Sequence, residues 1–103
     1  MKAKVLTLLG FASKSGNLSF GFSASTQAIN RNKAGLIIVA CDVSQKSLKE
    51  ITFHAEKKSV EILILKDISI FELSNSVGHK CGIISVNEDG FKKAIKEEIL
   101  NDQ

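Results

Sequence analysis

Gly35-Leu36-Ile37-Ile38-Val39-Ala40-Cys41-Asp42-Val43-Ser44 is the stretch that decides how this chain folds. Its first seven residues form a continuous apolar run of strand length. Such a run reads as a central strand covered on both faces, not as an alternating strand with one wet side. Asp42 to Ser44 then bring short oxygen-bearing side chains, the residue types that cap a helix. A buried strand running straight into a capped helix is the building unit of an α/β sandwich.

Downstream, Ser47, Leu48, Ile51 and Ala55 fall at helical intervals, with Lys46, Lys49, Glu50, Lys57 and Lys58 on the outside. Val60 to Leu65 reads as a second buried strand, and Ser69 to Val77 as a short helix ended by Gly78. Cys81 to Val86 is a further strand. Asp89 to Leu100 is a closing amphipathic helix with Asp89 as its predicted N-cap. Upstream, Lys2 to Ser13 has helical periodicity and stops at Ser15-Gly16-Asn17. Leu18 to Phe20 is a brief strand, and Ser23 to Asn32 a helix with Ala24, Ala28 and Ile29 inward. Helix and strand alternating at this spacing predict a three-layer α-β-α sandwich around a small mixed four-stranded sheet. A chain of 103 residues with 44% hydrophobic residues buries one core and not two, so residues 1–103 are expected to be one domain.

Charge is distributed unevenly. Lys2, Lys4, Lys14, Arg31 and Lys33 precede Asp42 with no acid among them, whereas nine lysines face eleven acids from Asp42 onward. The net charge of +3 is modest and common among soluble domains, so the asymmetry is the informative part. Around Gly21 a helix is expected to open on Ser23, Ala24, Ser25 and Thr26, inside the all-cationic half. Free N–H groups at a helix start, in a positive field, suit a polyanion, and Gly21 has no Cβ to hold a ligand off. Ser23, Ser25, Thr26 and Gln27 can hydrogen-bond phosphates or base edges, with Lys14, Arg31 and Lys33 supplying charge. The plainer reading of the same residues is a Ser23 helix cap among solvated lysines, and composition alone weighs the two equally.

Other chemistries fare worse. Cys41 and Cys81 are too few for a disulfide scaffold, lack metal-ligand spacing and sit in or beside apolar runs, where thiols act as small hydrophobes. His54 and His79 share no motif, no glycine-rich phosphate loop with a following lysine occurs, and Asp42 is more simply a cap than a catalytic acid. No enzyme, cofactor or metal is expected. No apolar run approaches the ~18 residues that span a bilayer, and no signal-peptide pattern follows Val5 to Leu9, so a cytoplasmic protein without a membrane partner is expected.

A resemblance sharpens this. Leu8-Leu9-Gly10-Phe11-Ala12-Ser13-Lys14-Ser15-Gly16-Asn17-Leu18, then Gly21, then Ala28-Ile29, then Lys33 to Ser44, resembles the L-seven-Ae family of ribosomal and kink-turn RNA-binding proteins. Ser69 to Gly78, with Glu72-Leu73, is similar to the helix before that family's second RNA-facing loop, and Asp89-Gly90-Phe91 to the opening of its last helix. The resemblance spans nearly the whole chain. It implies an α-β-α sandwich that grips a kink-turn, a sharply bent RNA helix with sheared G·A pairs. It also implies structured rRNA or mRNA as partner, with the ribosome as a setting.

In that family the second helix opens Gly-x-Asn-Glu-x-x-Lys and enters the widened groove. Here Gly21 matches the Gly, but Ser23 stands for Asn, Ala24 for Glu and Gln27 for Lys. Ser and Gln keep hydrogen-bonding capacity, Ala24 offers none, and the lysine charge is gone. At ~1–3 kcal/mol for a good base contact, such losses weaken kink-turn affinity by orders of magnitude. The second RNA-facing loop falls at Val77-Gly78-His79-Lys80, with a small apolar residue for an extruded base and a lysine for phosphate. A competing reading keeps the scaffold but makes the protein an adaptor for other proteins, with an apolar patch at Phe20 or Phe22 as its contact surface. The sequence leaves the oligomeric state open, a monomer being the simpler expectation.

Overall fold

The computed structural model describes residues 2–101. Nine elements follow in order: α1 (Lys2–Lys14), β1 (Leu18–Phe20), α2 (Gly21–Asn30), β2 (Leu36–Val39), α3 (Gln45–Lys57), β3 (Glu61–Ile64), α4 (Ile70–Val77), β4 (Ile83–Val86) and α5 (Asp89–Asn101). The sheet has the order β1-β4-β2-β3. β2 and β3 run parallel, with Ile38 opposite Leu63, and β4 is antiparallel to both β1 and β2. This is the expected mixed four-stranded sheet between two helical layers.

Alternation along the strands sorts the core. Leu36, Ile38, Ile84 and Val86 face Val5, Leu9, Leu73, Ile95 and Ile99 of α1, α4 and α5. Ile37, Val39 and Ile83 face Ile29, Ile51 and Ala55 of α2 and α3. Every residue of β2 and β4 is buried, because both faces are covered and both edges paired. Truncating Ile38 to Ala there costs on the order of 2–5 kcal/mol. The apolar run extends past the strand bounds for a reason: Gly35 N donates to Val86 O at 2.8 Å and Ala40 N to Gly82 O at 2.9 Å.

Four expectations need correction. The strand at Val60 to Leu65 is not buried; β3 is an edge strand whose Glu61 and Ile64 are exposed. A run of apolar residues cannot distinguish a central strand from an edge strand leaning on one helix. Cys41 is exposed just beyond β2, whereas Cys81 is buried as expected. α2 starts at Gly21, two residues before Ser23, with Phe20 in the N-cap position. Asp89 does not cap α5; the Glu88 carboxylate accepts from Phe91 N at 2.7 Å. That bond and a second from Gly90 N hold the Glu88 carboxyl below its ordinary range.

Candidate nucleic-acid interface

One end of the molecule gathers three chain segments: the C-terminus of α1, the β1–α2 junction and the turn between α4 and β4. α1 approaches α4 closely enough at Gly10 that a Cβ would meet Ser76 O at 3.1 Å. Ser13 Oγ then donates to Val77 O at 2.7 Å, which binds the end of α1 to the end of α4. Lys14, the next residue, is exposed and lines a shallow hollow with Gly10, Phe11 and Ser76. Gly78 ends α4 at φ 77°, a left-handed conformation that glycine adopts without a Cβ penalty. Beyond it Ser74 Oγ accepts from Cys81 N at 3.0 Å and donates to Cys81 O at 3.1 Å, and the Cys81 thiol donates to His79 O at 3.3 Å. Burial pushes the Cys81 thiol up to about 11, so it stays protonated and serves the turn as a donor.

This closed turn places His79 face to face with Phe20, ring centroids 4.0 Å apart and planes 15° from parallel. The β1–α2 junction and the α4–β4 turn therefore touch. Beneath the junction, Ser85 Oγ donates to Asn87 Oδ1 at 2.6 Å, Asn87 Nδ2 to Ser19 Oγ at 2.9 Å, and Asn87 N to Asn17 O at 2.9 Å. A half-buried polar chain of this kind fixes the β1 register and hence where α2 begins.

The start of α2 is bare. Gly21 holds φ 89°, a Cβ placed on it would meet nothing within 4 Å, and no side chain caps the helix. Ser23 is exposed and does not cap; Gln27 is exposed further along, and Ala24 is half-buried. Ser25 is not available as a ligand, and Thr26 has its hydroxyl proton committed to the helix. Ser25 is fully buried with its Oγ unpartnered, and Thr26 Oγ1 donates to Phe22 O at 2.8 Å.

Several of the expected contact residues are not brought together. Arg31 and Lys33 are exposed but lie at the C-terminal end of α2, about 15 Å along the axis from Gly21 at 1.5 Å per residue. Lys58 Nζ reaches that same end, donating to Asn32 Oδ1 at 3.4 Å. Val77 is a core residue, 5% exposed, so its side chain is not offered to a base. Gly78, His79 and Lys80 are exposed in the turn as expected. The apolar patch predicted at Phe20 or Phe22 is absent, since Phe20 stacks on His79 and Phe22 packs on α3 edge-on to His54, centroids 6.2 Å apart. The exposed phenylalanines are Phe11, Phe53 and Phe71. Nothing in the sequence marks Phe71 as outward, because helical spacing alone does not tell an outward ring from an inward one.

The Ribosomal protein L7Ae/L30e/S12e/Gadd45 family profile matches residues 3–96. The chain belongs to this family. An RNA-binding protein YlxQ of Enterococcus faecium is 27% identical over 99 residues, covering 95% of this chain and 93% of that protein. Among solved structures, a protein of unknown function from Bacillus halodurans superposes with a TM-score of 0.88 at 22% identity, covering 98% of this chain and 99% of that one. A Giardia lamblia 15.5kD RNA binding protein superposes with a TM-score of 0.76 at 18% identity, over 97% of this chain and 85% of that one. The family's fold is thus this chain's fold. Among the described residues no group of His, Cys, Asp and Glu suits a metal ion, and no helix is long and apolar enough to cross a membrane.

Proposed function

We propose that this protein binds structured RNA of the kink-turn type, as one domain and in association with the ribosome, through the end where Lys14, Gly21, Ser23 and the Gly78-His79-Lys80 turn converge. The observation that carries this reading is the uncapped start of α2, with Gly21 open to approach, beside a turn held rigid by hydrogen bonds. Backbone N–H groups aimed outward bind phosphate oxygens without base preference, and nearby lysines add the sequence-independent attraction of a polyanion. The RNA-binding name of the Enterococcus relative supports the RNA part of this reading. Ser23 and Gln27 supply the remaining hydrogen bonds, so selectivity for the bend rests more on shape than in members carrying the full Asn, Glu and Lys set.

A titration against a kink-turn RNA and an unbent duplex, at two salt concentrations, tests this. Preference for the kink-turn at both concentrations is the expected result. Lys14→Glu should weaken it about tenfold and reduce the salt slope by about one, whereas Lys33→Glu, at the far end of α2, should change it little. Equal weak binding to both RNAs, lost at the higher salt, would overturn kink-turn recognition and favour the adaptor reading.

A further inference from the structure

Arg31 and Lys33 take no part in the site above, yet they do not stand alone. Lys58 Nζ donates to Asn32 Oδ1 at 3.4 Å, so the turn after α2 meets the end of α3. Arg31, Lys33, Lys57 and Lys58 are all exposed around this meeting point. Part of that charge answers the helices themselves. Arg31 and Lys58 are the C-cap residues of α2 and α3, and each helix end carries about half a negative charge. Glu56 offsets one more cation, while Glu61 is engaged by Lys96 at 2.7 Å. A surplus of about two positive charges remains.

Phe53 lies beside this charge. Its ring is 58% exposed and packs in neither core cluster. Lys57 Nζ stands over the ring, 4.8 Å from its centroid, and His54 meets it edge-on at 5.7 Å. Phe53 also lines an open hollow of about 780 Å³ along α3, with Lys49 and Thr52, so a flat group has room beside the ring. His54 in turn meets Phe22, the residue after Gly21, with centroids 6.2 Å apart. A row of rings thus connects the open start of α2 to the cationic surface.

We propose that this surface holds a single strand of RNA leaving the bend, with one base stacked on Phe53 and phosphates on Arg31, Lys33, Lys57 and Lys58. The proposal rests on the RNA-binding reading above and extends the path of the RNA beyond the kink-turn itself. Cations alone would serve a duplex equally well. An exposed ring among them favours unpaired nucleotides, whose bases are free to stack. The distance from Gly21 is about 15 Å along α2, within reach of the ~4–16 nucleotides that a single-strand site occupies.

The test uses a kink-turn RNA without flanks and the same RNA with an unpaired tail of about eight nucleotides at one end or the other. Both kinds are titrated with the full chain, Phe53→Ala, Phe53→Trp, the double variant Lys33→Glu with Lys58→Glu, and Lys4→Glu on α1. Each variant is first checked by its melting temperature. For the unchanged protein one of the tails is expected to tighten binding about 5- to 150-fold, the range for one stacked base. Phe53→Ala and the double variant should lose that gain and bind the bare kink-turn as before, while Phe53→Trp and Lys4→Glu should keep it. No gain from either tail, with kink-turn preference intact, overturns the proposal and leaves the RNA reading standing. A gain that survives Phe53→Ala overturns the stacked base. Self-association of the chain that Phe53→Ala abolishes, without a tail gain, gives the ring to a second copy and overturns the proposal as well. Absence of binding to every RNA overturns both readings.

Discussion

At the start of α4 every nearby group is spent on the helix itself. Ser69 Oγ accepts from Glu72 N at 3.2 Å, Glu72 returns a carboxylate to Ser69 N, and Asp42 Oδ1 accepts from Ile70 N at 2.8 Å. Lys2 closes the set with a 2.7 Å ion pair to Glu72. At the start of α2, by contrast, no side chain among the described residues answers the backbone: Phe20 occupies the N-cap position, Gly21 is left-handed and Ser23 is exposed. The two helices begin at opposite extremes of self-sufficiency. Unanswered N–H groups at a helix start are normally capped or solvated, and each is a donor a ligand can take. The molecule thus stabilises one helix start internally and leaves the other for an outside partner.

The contrast can be broken by removing the caps. Ser69→Ala combined with Asp42→Ala should cost about 2 kcal/mol of stability, about one for each cap contact, and leave RNA affinity unchanged. Denaturant unfolding and RNA titration of the same preparation check both halves. If affinity fell along with stability, α4's start would belong to the RNA face and the contrast would collapse.

Gly21→Ala sharpens it from the other side. A left-handed residue with a Cβ costs about 1–2 kcal/mol, and the methyl would stand in the space a phosphate is to enter. Unfolding should show that loss, and RNA affinity should fall with it. A variant that is destabilised yet binds normally would remove the bare helix start from the interface.

The smallest effect is one of pH. Lys2 above all, and then Ser69 N–H, hold the Glu72 carboxyl below its ordinary value. A carboxyl depressed in the folded state adds stability above its unfolded pKa, and that contribution disappears as pH falls through the folded value. Both partners are solvated, so the gain is slight. Melting temperatures of Glu72→Gln should lie just below those of the unchanged protein at neutral pH and converge with them in acid.

Much of this architecture is legible in the amino-acid sequence because local chemistry and final structure agree there. Leu36 to Val39 lies in the middle of the sheet, Ser44 caps α3 by accepting from Ser47 N, and Gly78 ends α4 in the conformation that glycine favours. The misreadings lie where distant segments decide. Asp42 looks like a cap for the helix next to it, yet it serves α4, 28 residues away. Phe20 and His79 are far apart along the chain and meet only because β1 pairs with β4 and the α4 turn folds back. Arg31 and Lys33 share a sequence neighbourhood with Gly21, but ten helical residues separate the two ends of α2. Val77 ends a helix whose last turn is still part of the core, so its small apolar side chain serves packing.

The most direct test of the open helix start is to follow individual backbone amides while a kink-turn RNA is added to isotope-labelled protein. The account predicts that the amide resonances of Gly21, Phe22 and Ser23 and of Gly78, His79 and Lys80 shift together and saturate. Those of Ile70, Phe71 and Glu72 should keep the hydrogen-bonded character of a capped helix start and stay unshifted. Saturating shifts at Arg31 and Lys33 with none at Gly21 to Ser23 would contradict it, and would move the RNA face to the other end of α2.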